Sequence, residues 1–273
     1  MNKNLTELYA EHKGKVSDKW SLYLEIYDRI FKDMREDSLA LLEIGIQNGG
    51  SLEIWARFFP LANSIIGCDI NPKCLNLKYT EQSIELIVGD ANEAATYQAI
   101  LSISNAFDIV IDDGSHRSSD IIKSFCLYFP SINPGGLFIA EDLHCSYWAP
   151  FEGGLRDGLS SIEFFKRLVD ILNFEHWTTQ EQRVDSLQSF FDKYGCTITD
   201  EDLSSIHSIE FINSMCIIRK KNMQHNALGK RIVVGSDASI VAEVVTLNNL
   251  PYKLDPNLIE KQGFFKRLIR IFQ

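Results

Sequence analysis

Seven acidic side chains and one histidine stand where a chain could do chemistry with them. Glu43 precedes a glycine turn in Leu42-Glu43-Ile44-Gly45-Ile46-Gln47-Asn48-Gly49-Gly50-Ser51, Asp69 closes Gly67-Cys68-Asp69, and Asp90 closes Gly89-Asp90. Asp112 and Asp113 open Asp112-Asp113-Gly114-Ser115-His116, and Glu141 and Asp142 open Glu141-Asp142-Leu143-His144. Glycine lets the backbone turn sharply and approach a ligand closely. An acid roughly 20 residues beyond such a turn suits a carboxylate accepting hydrogen bonds from ribose hydroxyls. The pattern is E-x-G-x-x-x-G, not the G-x-G-x-x-G that seats a pyrophosphate, and Glu43 could instead hold an ammonium-bearing ligand. A single Asp at a strand end is ordinarily a helix cap. Glu43, Asp69 and Asp90 beside a glycine turn read together as an adenosyl-cofactor site.

The remaining acids suggest a cation. Several carboxylates cannot crowd together ionised without a counter-charge or a raised pKa. Carboxylate oxygens completed by water and substrate suit Mg²⁺ rather than zinc. His116, three residues beyond Asp113, could take a proton from a substrate hydroxyl whose pKa such a metal lowers. Spacing leaves open whether Asp112 or Asp113 faces the metal, since successive strand residues point to opposite faces. It also leaves open a purely structural alternative, with Asp112 as a cap, His116 in a first helical turn and Glu141 paired to a surface cation.

These residues must be positioned by the elements before them. Continuous apolar runs at 39–46, 64–70, 84–88, 107–111 and 136–140 have the composition of strands covered on both faces. Helical stretches between them imply right-handed crossovers and a parallel, doubly wound α/β sheet. Two further runs, 208–212 and 215–219, are separated only by Asn213-Ser214, which permits an antiparallel hairpin and excludes a crossover. That inventory predicts a mostly parallel seven-stranded sheet with a terminal antiparallel hairpin. Ahead of it, Trp20, Tyr23, Leu24, Tyr27, Ile30 and Phe31 have helical spacing and predict an amphipathic helix over 18–34.

Composition narrows the classes. The 273 residues can bury a sizeable core in one large domain. A net charge of −10 disfavours nucleic acid, whose binding rests on Lys and Arg neutralising phosphates. The six cysteines are scattered with no C-x-x-C pair, and the first residues have no apolar core of signal-peptide length, so a reduced, cytoplasmic protein without structural zinc is expected.

The segments LLEIGIQNGGSLEIW, IIGCDI, VGD, IDDGSH and AEDLHCSYW together resemble class I S-adenosylmethionine-dependent methyltransferases. Within them the chain is most similar to the metal-dependent macrolide sugar O-methyltransferases of the mycinamicin and demethylmacrocin type, from about residue 17 to 220. IDDGSH and AEDLH are the most specific part. The resemblance implies S-adenosylmethionine and Mg²⁺ as cofactors, Asp113, Glu141 and Asp142 as metal ligands, and His116 as general base. Cofactor contacts are expected from Glu43, Gly45, Gln47, Gly49, Ser51, Asp69, Asp90 and Asp112. One departure is that mycinamicin-type members carry a substantial extra N-terminal region. Here only Ser17-Asp18-Lys19-Trp20 and one or two helices stand ahead of the sheet.

The expected organisation is an N-terminal helical segment (1–36), a cofactor-binding catalytic domain (37–220) with an insertion or lid at 144–194, and a tail (221–273) ending in an amphipathic helix. Beyond the metal acids, His144, Tyr147 and Trp148 offer an aromatic platform for a sugar. In the terminal helix Phe264, Phe265, Leu268, Ile271 and Phe272 share one face, opposite Lys266, Arg267 and Arg270. Such a helix could pack on its own domain or a sister subunit, or lie on an anionic membrane surface. The expected partners are thus a small-molecule sugar or glycoside, a homo-oligomeric copy and, through that helix, the periphery of a membrane. Asn249-Leu250-Pro251-Tyr252 matches a signature of adenine methylation but stands far from strand four, and reads as a turn. His12, His176, His207 and His225 show no acids arranged around them. The rival readings are a nicotinamide-dependent sugar oxidoreductase, against which the missing G-x-G-x-x-G counts, and a non-catalytic adenosyl-binding subunit of a glycan-assembly complex.

Overall fold

The computed structural model describes residues 3–253. Two helices come first, α1 (Leu5–Glu11) and α2 (Ser21–Phe31). There follow β1 (Ala40–Ile44), α3 (Gly50–Phe58), β2 (Ser64–Asp69), β3 (Ile84–Val88), α4 (Ala94–Ile103), β4 (Phe107–Asp112), α5 (Ser118–Tyr128) and β5 (Ile132–Ala140). Helices α6 (Ser161–Leu172), α7 (Gln188–Tyr194) and α8 (Asp200–Ser204) lead to β6 (Ile206–Ile212) and β7 (Met215–Lys220). The strands form one seven-stranded sheet in the order β3-β2-β1-β4-β5-β7-β6. β1 to β5 are parallel, and β7 is antiparallel to both its neighbours. This is the expected α/β architecture, hairpin included.

Alternation along the central strands sorts the core into two layers. Leu42, Val110 and Phe138 face a layer closed by Phe125, Phe164 and Phe165. Leu41, Ile109 and Leu137 face the other, closed by Tyr27, Phe31, Trp55 and Phe58. β5 starts earlier than its apolar run. It extends back through Asn133-Pro134-Gly135, with Gly135 at φ 102° and a register shift between Phe107 and Ile109. Such an irregularity is what lets Pro and Gly sit inside a strand.

Helix α2 seats on α3 through aromatic contacts. Tyr27 stacks on Phe31 with centroids 5.1 Å apart, and Trp55 meets both edge-on at 5.2 and 5.9 Å. Trp20 does not share this buried face as its spacing predicts: it precedes the helix and is 60% exposed. Residues 221–253 lie outside the sheet and carry only short 3-10 turns and one isolated bridge between Lys230 and Pro251. The expected terminal helix lies outside the described residues. Among the described residues no helix is long and apolar enough to cross a membrane.

Candidate active site

Strand register brings the distant motifs into one row. Ile44 lies beside both Cys68 and Asp112, and Asp112 beside Ala140. The ladder continues one residue further: Gly45 N–H donates to Cys68 at 2.8 Å, Asp113 N–H to Ile44 at 2.9 Å, and Glu141 N–H to Asp112 at 2.9 Å. Gly45, Asp113 and Glu141 therefore stand side by side at the carboxyl edge of the sheet, with Asp69 at the end of the adjoining β2.

Close approach requires glycine at the turn. Gly45 has φ 85°, and a Cβ there would lie 2.2 Å from the Asp113 carbonyl oxygen. Gly49 has φ 79°, and its Cβ would lie 2.0 Å from the Tyr79 hydroxyl. Two cavities adjoin this turn. The larger, about 430 Å³, is lined by Gly45, Gln47, Ser51, Asp69, Asp113, His116, Glu141 and Asp142 among others. The smaller, about 200 Å³, is lined by Asp69, Asp90 and Asp112, and shares Gly45, Asp69 and Gly114 with the larger. Gly49 lines neither, and Glu43 lies fully buried behind the turn, accepting from Ser51 Oγ at 2.6 Å. Asp69 braces the turn, its Oδ2 accepting from Ile46 N–H at 3.0 Å and Gln47 N–H at 2.9 Å.

The two acids after β4 diverge. Asp112 faces the smaller cavity, where burial pushes its carboxyl up to about 6. Asp113 faces the larger one and meets the acids that follow β5. One ligand-type atom from each of Asp113, His116 and Asp142 lies within 4.8 Å of the others. His116 Nε2 is 3.8 Å from Asp142 Oδ2, and His116 Nδ1 is buried without a hydrogen-bond partner. Gln47, His116 and Asp142 all have positive φ, at 50°, 58° and 52°. Strain in non-glycine residues is enriched at functional sites, and these are three of the seven such residues among the described ones, the others being Glu152, Arg156, Ser214 and Asn249.

Glu141 has other partners. Its carboxylate accepts from the Tyr27 hydroxyl, and its Oε1 lies 2.8 Å from Lys19 Nζ. Lys19 is also 2.5 Å from Asp113 Oδ2 and 3.4 Å from Glu43 Oε1, with its side chain only 2% exposed. Burial raises the pKa of Glu43, Asp113 and Glu141, the last to about 8, and Lys19 opposes the rise in each. For Lys19 burial acts downward, but Glu141, Asp113 and Glu43 outweigh it and hold the ammonium well above its ordinary value. Asp142 Oδ1 accepts from Trp20 Nε1 at 3.0 Å and from the Tyr23 hydroxyl at 2.9 Å.

Lys19, Trp20, Tyr23 and Tyr27 are site residues that motif reading overlooked. A signal existed: Lys19, Tyr23 and Tyr27 recur every four residues, a stripe of polar tips along a face otherwise buried. Of the aromatic platform, His144 lies near the site, its Nδ1 3.9 Å from Asp142 Oδ1, edge-on to Trp20 at 6.3 Å and to Trp148 at 5.0 Å. Tyr147 and Trp148 are about half exposed and line neither cavity. Two histidines thought to lack acids have them: His12 lies 3.4 Å from Glu53 and His176 3.7 Å from Glu175, through α1–α3 packing and chain adjacency respectively.

The donor set fits the groups expected of it. The carboxylate oxygens of Asp113, Glu141 and Asp142 suit a hard divalent ion, and an ammonium already sits among the acids as a stand-in cation. The glycine cradle and the paired cavities suit a nucleoside-bearing ligand.

Sheet order, terminal hairpin and the placement of the glycine turn define a class I methyltransferase fold, and residues 42–143 match the family model described as a methyltransferase domain. The chain is 35% identical over 177 residues to the 8-demethyl-8-alpha-L-rhamnosyl tetracenomycin-C 2'-O-methyltransferase of Streptomyces olivaceus, covering 61% of this chain and 46% of that one. It is 39% identical over 185 residues to the demethylmacrocin O-methyltransferase of Streptomyces fradiae, covering 63% and 45%. Among solved structures it resembles the MycE methyltransferase from the mycinamycin biosynthetic pathway in complex with Mg, SAH and mycinamycin VI. That likeness has a TM-score of 0.68 and 26% identity, over 89% of this chain and 60% of the other. The chain thus spans about half the length of the curated relatives it matches.

Proposed function

We propose that this chain is an S-adenosylmethionine-dependent, Mg²⁺-assisted O-methyltransferase acting on a hydroxyl of a sugar or glycosylated metabolite. The observation that carries the reading is the meeting of Asp113, His116 and Asp142 on the wall of a cavity that also opens onto the glycine turn. The relatives are named as O-methyltransferases of sugar-bearing natural products, and this supports the acceptor class.

In this reading the cofactor lies across both cavities. Asp69 accepts from its ribose hydroxyls, Asp90 and Asp112 face its adenosine, and Gly45, Gln47 and Ser51 border its amino-acid end, with Glu43 supplying negative charge behind them. Gly49 shapes the turn. Asp113, Glu141 and Asp142 would hold Mg²⁺, which when bound lowers the pKa of a coordinated hydroxyl. His116 takes the hydroxyl proton on Nε2, and the nearby Asp142 carboxylate, 3.8 Å away, stabilises the imidazolium that results. Methyl transfer is an in-line displacement, so the residues contribute chiefly alignment and proton removal. The cofactor-binding catalytic domain is residues 37–220, its acid cluster completed by Lys19, Trp20, Tyr23 and Tyr27 from the leading segment, and the insertion at 144–194 covers the acceptor, with His144, Tyr147 and Trp148 on its near side. A second copy of the chain is the partner assigned alongside the sugar.

The test is a screen of nucleotide sugars and glycosides with isotopically labelled S-adenosylmethionine, with Mg²⁺ or with EDTA, read by mass spectrometry. A methylated sugar product that disappears in EDTA is expected. Titration calorimetry showing that the chain binds NAD(P)H and not S-adenosylmethionine would overturn the reading in favour of an oxidoreductase.

A further inference from the structure

Among the described residues, Lys19 is the one buried charge in the site that methyl transfer leaves without a task. Its ammonium touches carboxylates from three different strand ends: Asp113 after β4 at 2.5 Å, Glu141 after β5 at 2.8 Å, and Glu43 on β1 at 3.4 Å. Withdrawing a lone ammonium or carboxylate from water costs several kcal/mol. The acids can therefore converge in the metal-free chain because Lys19 offsets them, and Lys19 can be buried because they offset it. Glu43 Oε1 makes no hydrogen bond, and Lys19 is the largest of the influences, with Ser51 and Trp55, that favour the charged form of this carboxyl.

The oxygens held by Lys19 include those a divalent ion would need. Two cations sharing carboxylates at this range repel each other strongly in a poorly hydrated site. We propose that Lys19 is an internal counter-ion that competes with the divalent metal for Asp113 and Glu141. It acts as a positioning residue that assembles the acid cluster before metal arrives, and it holds the metal's affinity down. Lys19 thereby directs the ion toward the cavity side, where the carboxylates of Asp113 and Asp142 come together and His116 stays free as the base. The inference rests on the metal-assisted reading above.

A competitor and a structural prop give opposite signs. Lys19→Met removes the charge and keeps much of the aliphatic bulk. Competition predicts a lower thermal midpoint in EDTA, together with Mn²⁺ binding about tenfold or more tighter than in the native chain. The rise in midpoint on adding Mn²⁺ should be correspondingly larger, because a ligand that binds only the folded state stabilises it in proportion to its affinity. A structural prop predicts lower stability and weaker Mn²⁺ binding, and that result, or an unchanged Mn²⁺ affinity, overturns the proposal. The variant is produced with Mn²⁺ present and its affinity read by EDTA competition. If it fails to fold even so, Lys19→Arg carries the test. A guanidinium grips paired carboxylates more firmly than an ammonium, so several-fold weaker Mn²⁺ binding is expected there, and native-like or tighter binding overturns the idea. Absence of Mn²⁺ binding by the native chain, with S-adenosylmethionine binding intact, would instead overturn the metal half of the proposed function.

Discussion

The indole N–H of Trp20 reaches Asp142 Oδ1 across 3.0 Å, joining two residues 122 positions apart in the chain. With the Tyr23 hydroxyl on the same oxygen, it leaves Asp142 Oδ2 turned toward His116. Trp20→Phe keeps a ring and deletes the donor. Turnover is expected to fall about three- to tenfold, the worth of one partly exposed hydrogen bond to a charge, with a larger loss when Tyr23→Phe is added. Steady-state kinetics on both variants check this, and native turnover in the double variant would show that Asp142 needs no such orientation.

His116→Ala should bind S-adenosylmethionine like the native chain and lose on the order of 10²- to 10⁴-fold in turnover, the usual contribution of a positioned acid or base. Calorimetry separates binding from chemistry. Undiminished turnover would remove the proton-acceptor role.

Gly45→Ala tests the cradle by stability and by cofactor binding. The new methyl would meet the Asp113 carbonyl oxygen at 2.2 Å while the residue kept φ 85°. The backbone conformation by itself costs about 1–3 kcal/mol for a residue with a side chain, so the urea midpoint should drop clearly, as should cofactor affinity. A midpoint matching the native chain would mean that the turn relaxes freely.

Glu152 ties the insertion to the loop bearing His116. It accepts from Ser119 N–H at 3.0 Å, in the first turn of α5, and pairs with Arg117. Burial acts to raise its carboxyl, but Arg117 and Ser119 prevail and bring it down to about 2. A lowered folded-state pKa gives stability that is complete above the unfolded value and lost as pH falls toward the folded one. The stability gap between the native chain and Glu152→Gln should therefore be full at neutral pH and shrink between about pH 4.5 and 2. Denaturant midpoints across that range measure it. A gap that widened on acidification would contradict the assignment.

The strands, the terminal hairpin and the acids at the strand ends were legible because each signal is local: an apolar run, then a glycine or a carboxylate. The acids after strand four and those after strand five could be expected to converge because neighbouring parallel strands end level, whereas the choice of Asp113 over Asp112 rests on the family resemblance. Lys19 and Trp20 were not legible as site residues. Their role depends on how α2 packs across α3, which is decided by Tyr27, Phe31 and Trp55 meeting in space rather than by spacing along the chain. Glu141 illustrates the same limit. Its motif points to a metal, whereas its bonded partners, Lys19 and Tyr27, come from the helical segment that motif reading treated as a preface.

That packing bears on where this protein can be cut. A fragment trimmed to the matched stretch, residues 42–143, would forfeit Lys19, Trp20, Tyr23 and Tyr27 together with the hairpin whose Ser214 carbonyl receives both the Leu143 amide and the Tyr23 hydroxyl. The smallest autonomous fold should accordingly reach from α1 through β7, and anyone reusing this scaffold must carry the leading helices along as working parts.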